Sequence, residues 1–136
     1  MAGYSGTPLA RKLGIREGSR VLVVDPPPRL DDLLAPVPAG AVILRRAAGE
    51  LDVALLFVVS RARLEERFAP LAHRLTPAGG LWVCWPKRAS GVETDLTESG
   101  IREHGLAAGL VDNKVCAVDE TWSGLRFVIR LADRKR

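Results

Sequence analysis

Apolar residues along this chain gather in short unbroken runs. Residues 21–24, Val-Leu-Val-Val, form the first. Residues 41–44 form the second, and residues 53–59 the third and longest, seven apolar side chains in a row. Residues 81–85, Leu-Trp-Val-Cys-Trp, form the fourth. Runs of this length without polar alternation predict strands covered on both faces, the habit of parallel sheets. Two further strands are expected over 111–119 and 125–131. In the last of these, Leu125, Phe127, Ile129 and Leu131 alternate with Arg126, Val128 and Arg130. That is the pattern of a half-covered antiparallel edge.

Segments between the runs change to helical spacing. Thr7-Pro8 predicts an N-cap and a first helical residue, with Leu9 and Leu13 on one face and Gly14 at the C′ position. Residues 29–35 predict a short helix with Leu30, Leu33 and Leu34 inward, stopped by Pro36 and Pro38. Ser60 predicts the cap of a helix whose apolar positions are Leu64, Phe68, Leu71 and Leu75. Arg61, Arg63, Glu65, Glu66 and Arg67 are expected to face water, and Pro70 to kink or interrupt the helix. Asp95 and Glu98 have capping-box spacing, which predicts a helix from there to Ala108, ended by Gly109 and weakened by Gly100 and Gly105. Turns are expected at Glu17-Gly18, at 47–49, at 77–80 and at 120–124. Strands alternating with helices imply parallel pairing through right-handed crossovers. The expected fold is therefore a three-layer, Rossmann-like α/β domain over residues 1–132, closed by an antiparallel hairpin, with a basic tail at 133–136.

Composition narrows the function classes. A chain of 136 residues accommodates one core. Aromatic residues are only 5% against 47% hydrophobic, so the core is built mainly from Ala, Val and Leu. No stretch approaches the roughly 18–20 apolar residues of a membrane span. The first eight residues carry neither a basic nor an apolar signal region, and a cytoplasmic location is expected. Cys84 and Cys116 lie in apolar stretches and read as free, buried thiols. His73 and His104 read as surface residues on helices, and no metal or cofactor is expected. The net charge is +4, and the last four residues hold three bases against one acid. Elsewhere bases and acids are interspersed, which argues against nucleic acid as a partner. Abundant arginine, scarce lysine and the lack of glutamine point to a GC-rich source, and the scarcity of amides suits a thermophile.

Two strings carry a resemblance. Glu17-Gly18-Ser19-Arg20-Val21-Leu22 resembles the lead-in to the first strand of the class I methyltransferase fold, and Leu75-Thr76-Pro77-Ala78-Gly79-Gly80-Leu81-Trp82 resembles its turn into the fifth strand. The element order is similar to the second half of that fold. The chain also resembles, over nearly its whole length, a small bacterial family of unknown function. The strings that carry this are 4–9, Trp85-Pro86-Lys87, Ser90-Gly91, Thr94-Asp95-Leu96-Thr97, 109–117 and 119–125.

A methyltransferase resemblance implies a glycine-rich loop after the first strand, where backbone wraps S-adenosylmethionine. Here that position reads Asp25-Pro26-Pro27-Pro28-Arg29. The prolines have fixed φ and no N–H. Arg45-Arg46 stand where the resemblance implies an acid for the ribose hydroxyls, and the third strand is missing between Gly49 and the next run. These departures argue against ordinary methyl transfer, and the glycine argument also excludes a dinucleotide site.

In open α/β sheets, ligands bind beyond the carboxyl ends of the strands. That edge is expected to gather Asp25, Arg45, Ser60, Arg61, Lys87, Ser90, Thr94, Asp95, Asp119, Trp122 and Ser123. Lys87, with Ser90, Thr94 and helix amides, can hold an anion. The plainer reading is that Lys87 pairs with Asp95 or Asp119 and pins two loops. Trp122 either stacks on a ligand or covers the core. Asp112 and Lys114 are expected to pair along one strand face, and no Ser-His-Asp triad is legible. The expected function is a non-catalytic module of methyltransferase-like fold that binds a small anionic ligand or a protein partner. The alternative is a small enzyme using Lys87 with Asp95 or Asp119. Self-association through the 125–131 strand, giving a homodimer, is a third possibility.

Overall fold

A computed structural model describes residues 7–134. Readings that fall on residues 1–6 and 135–136, including the leader argument and part of the basic tail, lie outside the described residues. Among the described residues, ten regular elements occur in the expected order, with two short 3-10 turns besides. They are α1 (Leu9–Lys12), β1 (Arg20–Val24), α2 (Leu30–Leu34), β2 (Val42–Leu44) and β3 (Leu51–Phe57), then α3 (Arg61–Ala72), β4 (Leu75–Pro86), α4 (Glu98–Ala107), β5 (Leu110–Ala117) and β6 (Trp122–Ile129).

The strands form one sheet in the order β2-β1-β3-β4-β6-β5. β2, β1, β3 and β4 are parallel, and β6 runs antiparallel to both β4 and β5. This is a mixed α/β sheet of methyltransferase-like topology. One apolar cluster, with Val21, Val23, Leu55 and Trp82, lies under α1 and α2. The other, with Leu56, Phe68, Ile101 and Phe127, lies under α3 and α4.

Several local expectations need correction. The strand expected over 125–131 is not an edge: β6 is sandwiched between β4 and β5, and its alternation reflects different cover on its two faces. Its ladder is filled on both sides, so the proposed self-pairing through it is not available; the sheet edges are β2 and β5. Pro70 lies inside α3 without ending it, within the last turn, where little helix remains to lose. The turn expected at 77–80 is a bulge within β4: Leu75 pairs with Leu51, and Gly80 already pairs with Val53. Leu75 therefore belongs to β4 and not to α3. Asp112 and Lys114 do not share a face, because the β5–β6 register slips between them. Asp112 meets Arg102 of α4 at 2.9 Å instead. His104 is half-buried and packs edge-on against Phe68, with ring centroids 5.1 Å apart.

Gly105, expected only to weaken its helix, is a packing device. A Cβ on Gly105 would overlap the Phe127 ring, so α4 can approach β6 this closely there because residue 105 has no side chain. Trp82 is fully buried, and its indole N–H donates to the Leu13 carbonyl at 2.9 Å, tying the end of α1 to the middle of the sheet.

Gly105→Ala should therefore lower stability by about 1–3 kcal/mol through overpacking, although an alanine in an open helix would add about 0.5–1 kcal/mol. Urea denaturation decides, and a stabilised variant would contradict the packing of α4 on Phe127. Trp82→Phe should cost about 2–3 kcal/mol by the same measurement, because it leaves both a void and an unpaired buried carbonyl.

Candidate functional site

The parallel strands end at the loops following β1, β2, β3 and β4. β1 stops at Asp25, which takes a left-handed φ of 52° before three prolines. The Leu30 N–H returns to the Pro27 carbonyl at 3.1 Å, which closes this segment onto the start of α2. Asp25 is paired across the edge with Arg63 of α3 at 3.1 Å, and Arg63 also holds Glu66 at 2.9 Å. Hydrogen bonds from Glu66 and then Asp25 push the Arg63 guanidinium pKa up. Arg45 reaches Asp31 at 2.6 Å, and Arg29 reaches Glu120 at 3.6 Å. These exposed pairs contribute little stability. Their effect is to span the mouth of the crevice with side chains already in partnership.

The Lys87 loop behaves similarly. Lys87 Nζ donates to the backbone carbonyl of Asp119 at 2.9 Å, and the Lys87 N–H donates to Thr121 O at 2.8 Å. Lys87 thus pins two loops, as the plainer reading expected, but it does so through a carbonyl and not a carboxylate. The Asp119 carboxylate accepts the N–H groups of Thr121 and Trp122 at 2.8 and 2.7 Å, forming its own turn. Ser90 donates to Lys87 O at 2.6 Å.

Asp95 is a helix cap, though not of α4. Thr97 caps α4, accepting from the Gly100 N–H, while the Asp95 carboxylate accepts the Arg61 N–H at 2.8 Å. Ser60 accepts the Arg63 N–H of the same first turn at 3.2 Å, so α3 has two caps from separate segments. Thr94 donates to the Val59 carbonyl at 2.6 Å and completes this clasp. Capping-box spacing alone could not reveal it, because Asp95 lies 34 residues from its partner.

A depression of about 740 Å³ brings together Lys87, Thr94, Asp95 and Ser123. Trp122 instead packs edge-on against Phe57, with centroids 5.2 Å apart, and covers the end of the core. Ser90 and Asp119 turn their side-chain oxygens to backbone groups. Neither cysteine is poised for reaction: burial pushes the Cys84 thiol pKa well up and raises that of Cys116. Among the described residues, no cluster of His, Cys, Asp and Glu is arranged to hold a metal ion. No helix among them is long and apolar enough to cross a membrane.

Sequence reasoning missed Lys114 and Arg126. It paired the first with Asp112 and treated the second as the polar half of an alternation. Both line a hollow at the opposite end of the sheet. Only the cross-strand register, with its slip at Asn113, brings them together.

No protein-family model matches the chain, and no curated protein matches it by sequence. Solved structures do match it by fold. A SAM-dependent methyltransferase from Aquifex aeolicus superposes with a TM-score of 0.60 at 14% identity, over 88% of this chain and 86% of that one. A TehB-like SAM-dependent methyltransferase from Corynebacterium glutamicum gives 0.55 at 13% identity, over 95% and 91%. A structure described as a pericyclic reaction enzyme gives 0.55 at 12% identity, over 91% of this chain but 47% of its own. At these identities the likeness establishes the fold, which is that of the class I methyltransferases.

Proposed function

We propose that this protein is a binding module built on the methyltransferase fold that does not transfer methyl groups. The observation that carries this reading is the segment after β1. Residues 26–28 are all proline and offer no N–H to a ligand, and Leu30, the first residue of α2, already spends its N–H on Pro27 O. Asp25 and Arg45 are each held by an opposite charge. The residues present therefore do not fit S-adenosylmethionine in the manner the fold implies, and no catalytic step is derived through it.

The Lys87 loop supports the same reading. An enzyme using Lys87 with Asp95 or Asp119 needs an ammonium facing a carboxylate across a ligand. In this loop the ammonium is held by a carbonyl, and both carboxylates accept backbone N–H groups. Groups committed in this way favour a rigid recognition surface over proton transfer. Fold alone does not assign a reaction, as the variety of chemistry among the structural neighbours illustrates. Two free cysteines suit a reducing compartment, and we assign the protein to the cytoplasm.

Calorimetric titration with S-adenosylmethionine and with S-adenosylhomocysteine should give no saturable heat at millimolar ligand. Saturable one-site binding of either would refute the proposal.

A further inference from the structure

The hollow missed by sequence reasoning lies at the amino ends of the parallel strands, opposite the edge described above. Its volume is about 440 Å³, within the usual range for a small-molecule site. Four cationic side chains line it: Lys12, Arg16, Lys114 and Arg126. Two acids, Glu17 and Asp52, share the lining. Asp52 is already engaged, one oxygen accepting the Arg20 N–H at 2.8 Å and the other the Thr76 hydroxyl at 3.3 Å.

Among the described residues the cations are not engaged. Arg20, Arg45, Arg63 and Arg102 each end on a carbonyl or carboxylate. The side chains of Lys12, Arg16, Lys114 and Arg126 have no hydrogen-bond or ion-pair partner among the described residues. Arg126 is half-buried, and it lies on Gly80, where a Cβ would overlap its guanidinium. Burial lowers its pKa first, and the positive charges of Arg134 and Arg16 lower it further. Holding an unpaired cation part-way out of water among like charges is costly unless an anion completes the site.

We propose that this hollow binds a small phosphorylated molecule, with Arg126 at its floor and Lys114, Lys12 and Arg16 around it. The excess of cations matches a dianion, and a guanidinium fork fits phosphate oxygens in bidentate fashion. The register slip at Asn113 turns Lys114 to the face of Arg126. An adjoining depression of about 790 Å³ shares Gly14, Arg16, Glu17 and Lys114, and adds Ile15, Pro36 and Val37. It offers an apolar surface to the organic part of such a ligand. The concave shape favours a small molecule over nucleic acid, which would need an extended basic stripe. This inference does not depend on what the opposite edge binds.

The test is calorimetric titration of the full chain with inorganic pyrophosphate in low-salt buffer. One-site saturation is expected, weakened by about tenfold or more in Arg126→Met, the loss of a charge-assisted hydrogen bond. Lys114→Met, an exposed substitution that should leave folding intact, is expected to weaken binding severalfold. Arg88→Met, at the opposite edge, should bind like the wild type. Without ligand, Arg126→Met should melt no lower than the wild type, because the unbranched methionine still packs over Gly80 while the unpaired charge is removed. Absence of binding, equal binding by Lys114→Met, or the same signal from sodium chloride at matched ionic strength would overturn the proposal. So would a single-stranded oligonucleotide binding more tightly than pyrophosphate.

Discussion

Trp82 on β4 and Arg126 on β6 stand directly opposite one another in the antiparallel ladder. They do not stack on one another. Each leans along its strand over a glycine of the other. The Trp82 ring lies 3.0 Å from where a Cβ on Gly124 would be, and Arg126 occupies the space above Gly80. The opposite face of β6 has a matching constraint, with Phe127 filling the space at Gly105 of α4. Glycines on three separate elements thus admit β6 into the sheet. This diagonal packing is the cross-strand unit on which the antiparallel half of the sheet depends.

Both ends of the molecule follow from it. Where β6 begins, its entering turn meets the end of β4, and Lys87 and Asp119 are tied together there. At that edge Lys87, Ser90, Thr94, Asp95 and Asp119 are each satisfied by the protein itself. Where β6 ends, Arg126 is delivered to a hollow whose cations have no protein acceptors among the described residues. The two edges therefore differ: at one the groups of the Lys87 loop and the Asp95 clasp bond to the protein itself, and at the other four cations line a hollow without such bonds among the described residues. The fold is shared with methyltransferases, but the chemical asymmetry belongs to this chain's own residues.

The sequence announced the order of elements because buried parallel strands and helices leave different periods. The β1, β3 and β4 runs, the cap at Ser60 and the stop at Gly109 are local signals, and each appears where local physics puts it. What was not legible depends on pairing. Alternation in 125–131 looked like an edge because a strand with unequal cover on its faces shows the same pattern. Asp95 looked like the cap of the nearest helix, while its partner lies across the sheet edge. Lys114 was assigned to the wrong face because one extra residue at Asn113 inverts the period. The expected residues at the carboxyl edge are close in space, yet most are spent on backbone partners, which spacing alone does not reveal.

The lean of Arg126 over Gly80 is the geometry on which both the packing of β6 and the cationic hollow rest. It can be observed directly in solution by a carbon-edited nuclear Overhauser spectrum. Cross-peaks between the Gly80 α-protons and the Arg126 δ- and ε-protons are the predicted result. Their absence, with Arg126 side-chain shifts at random-coil values, would contradict the account.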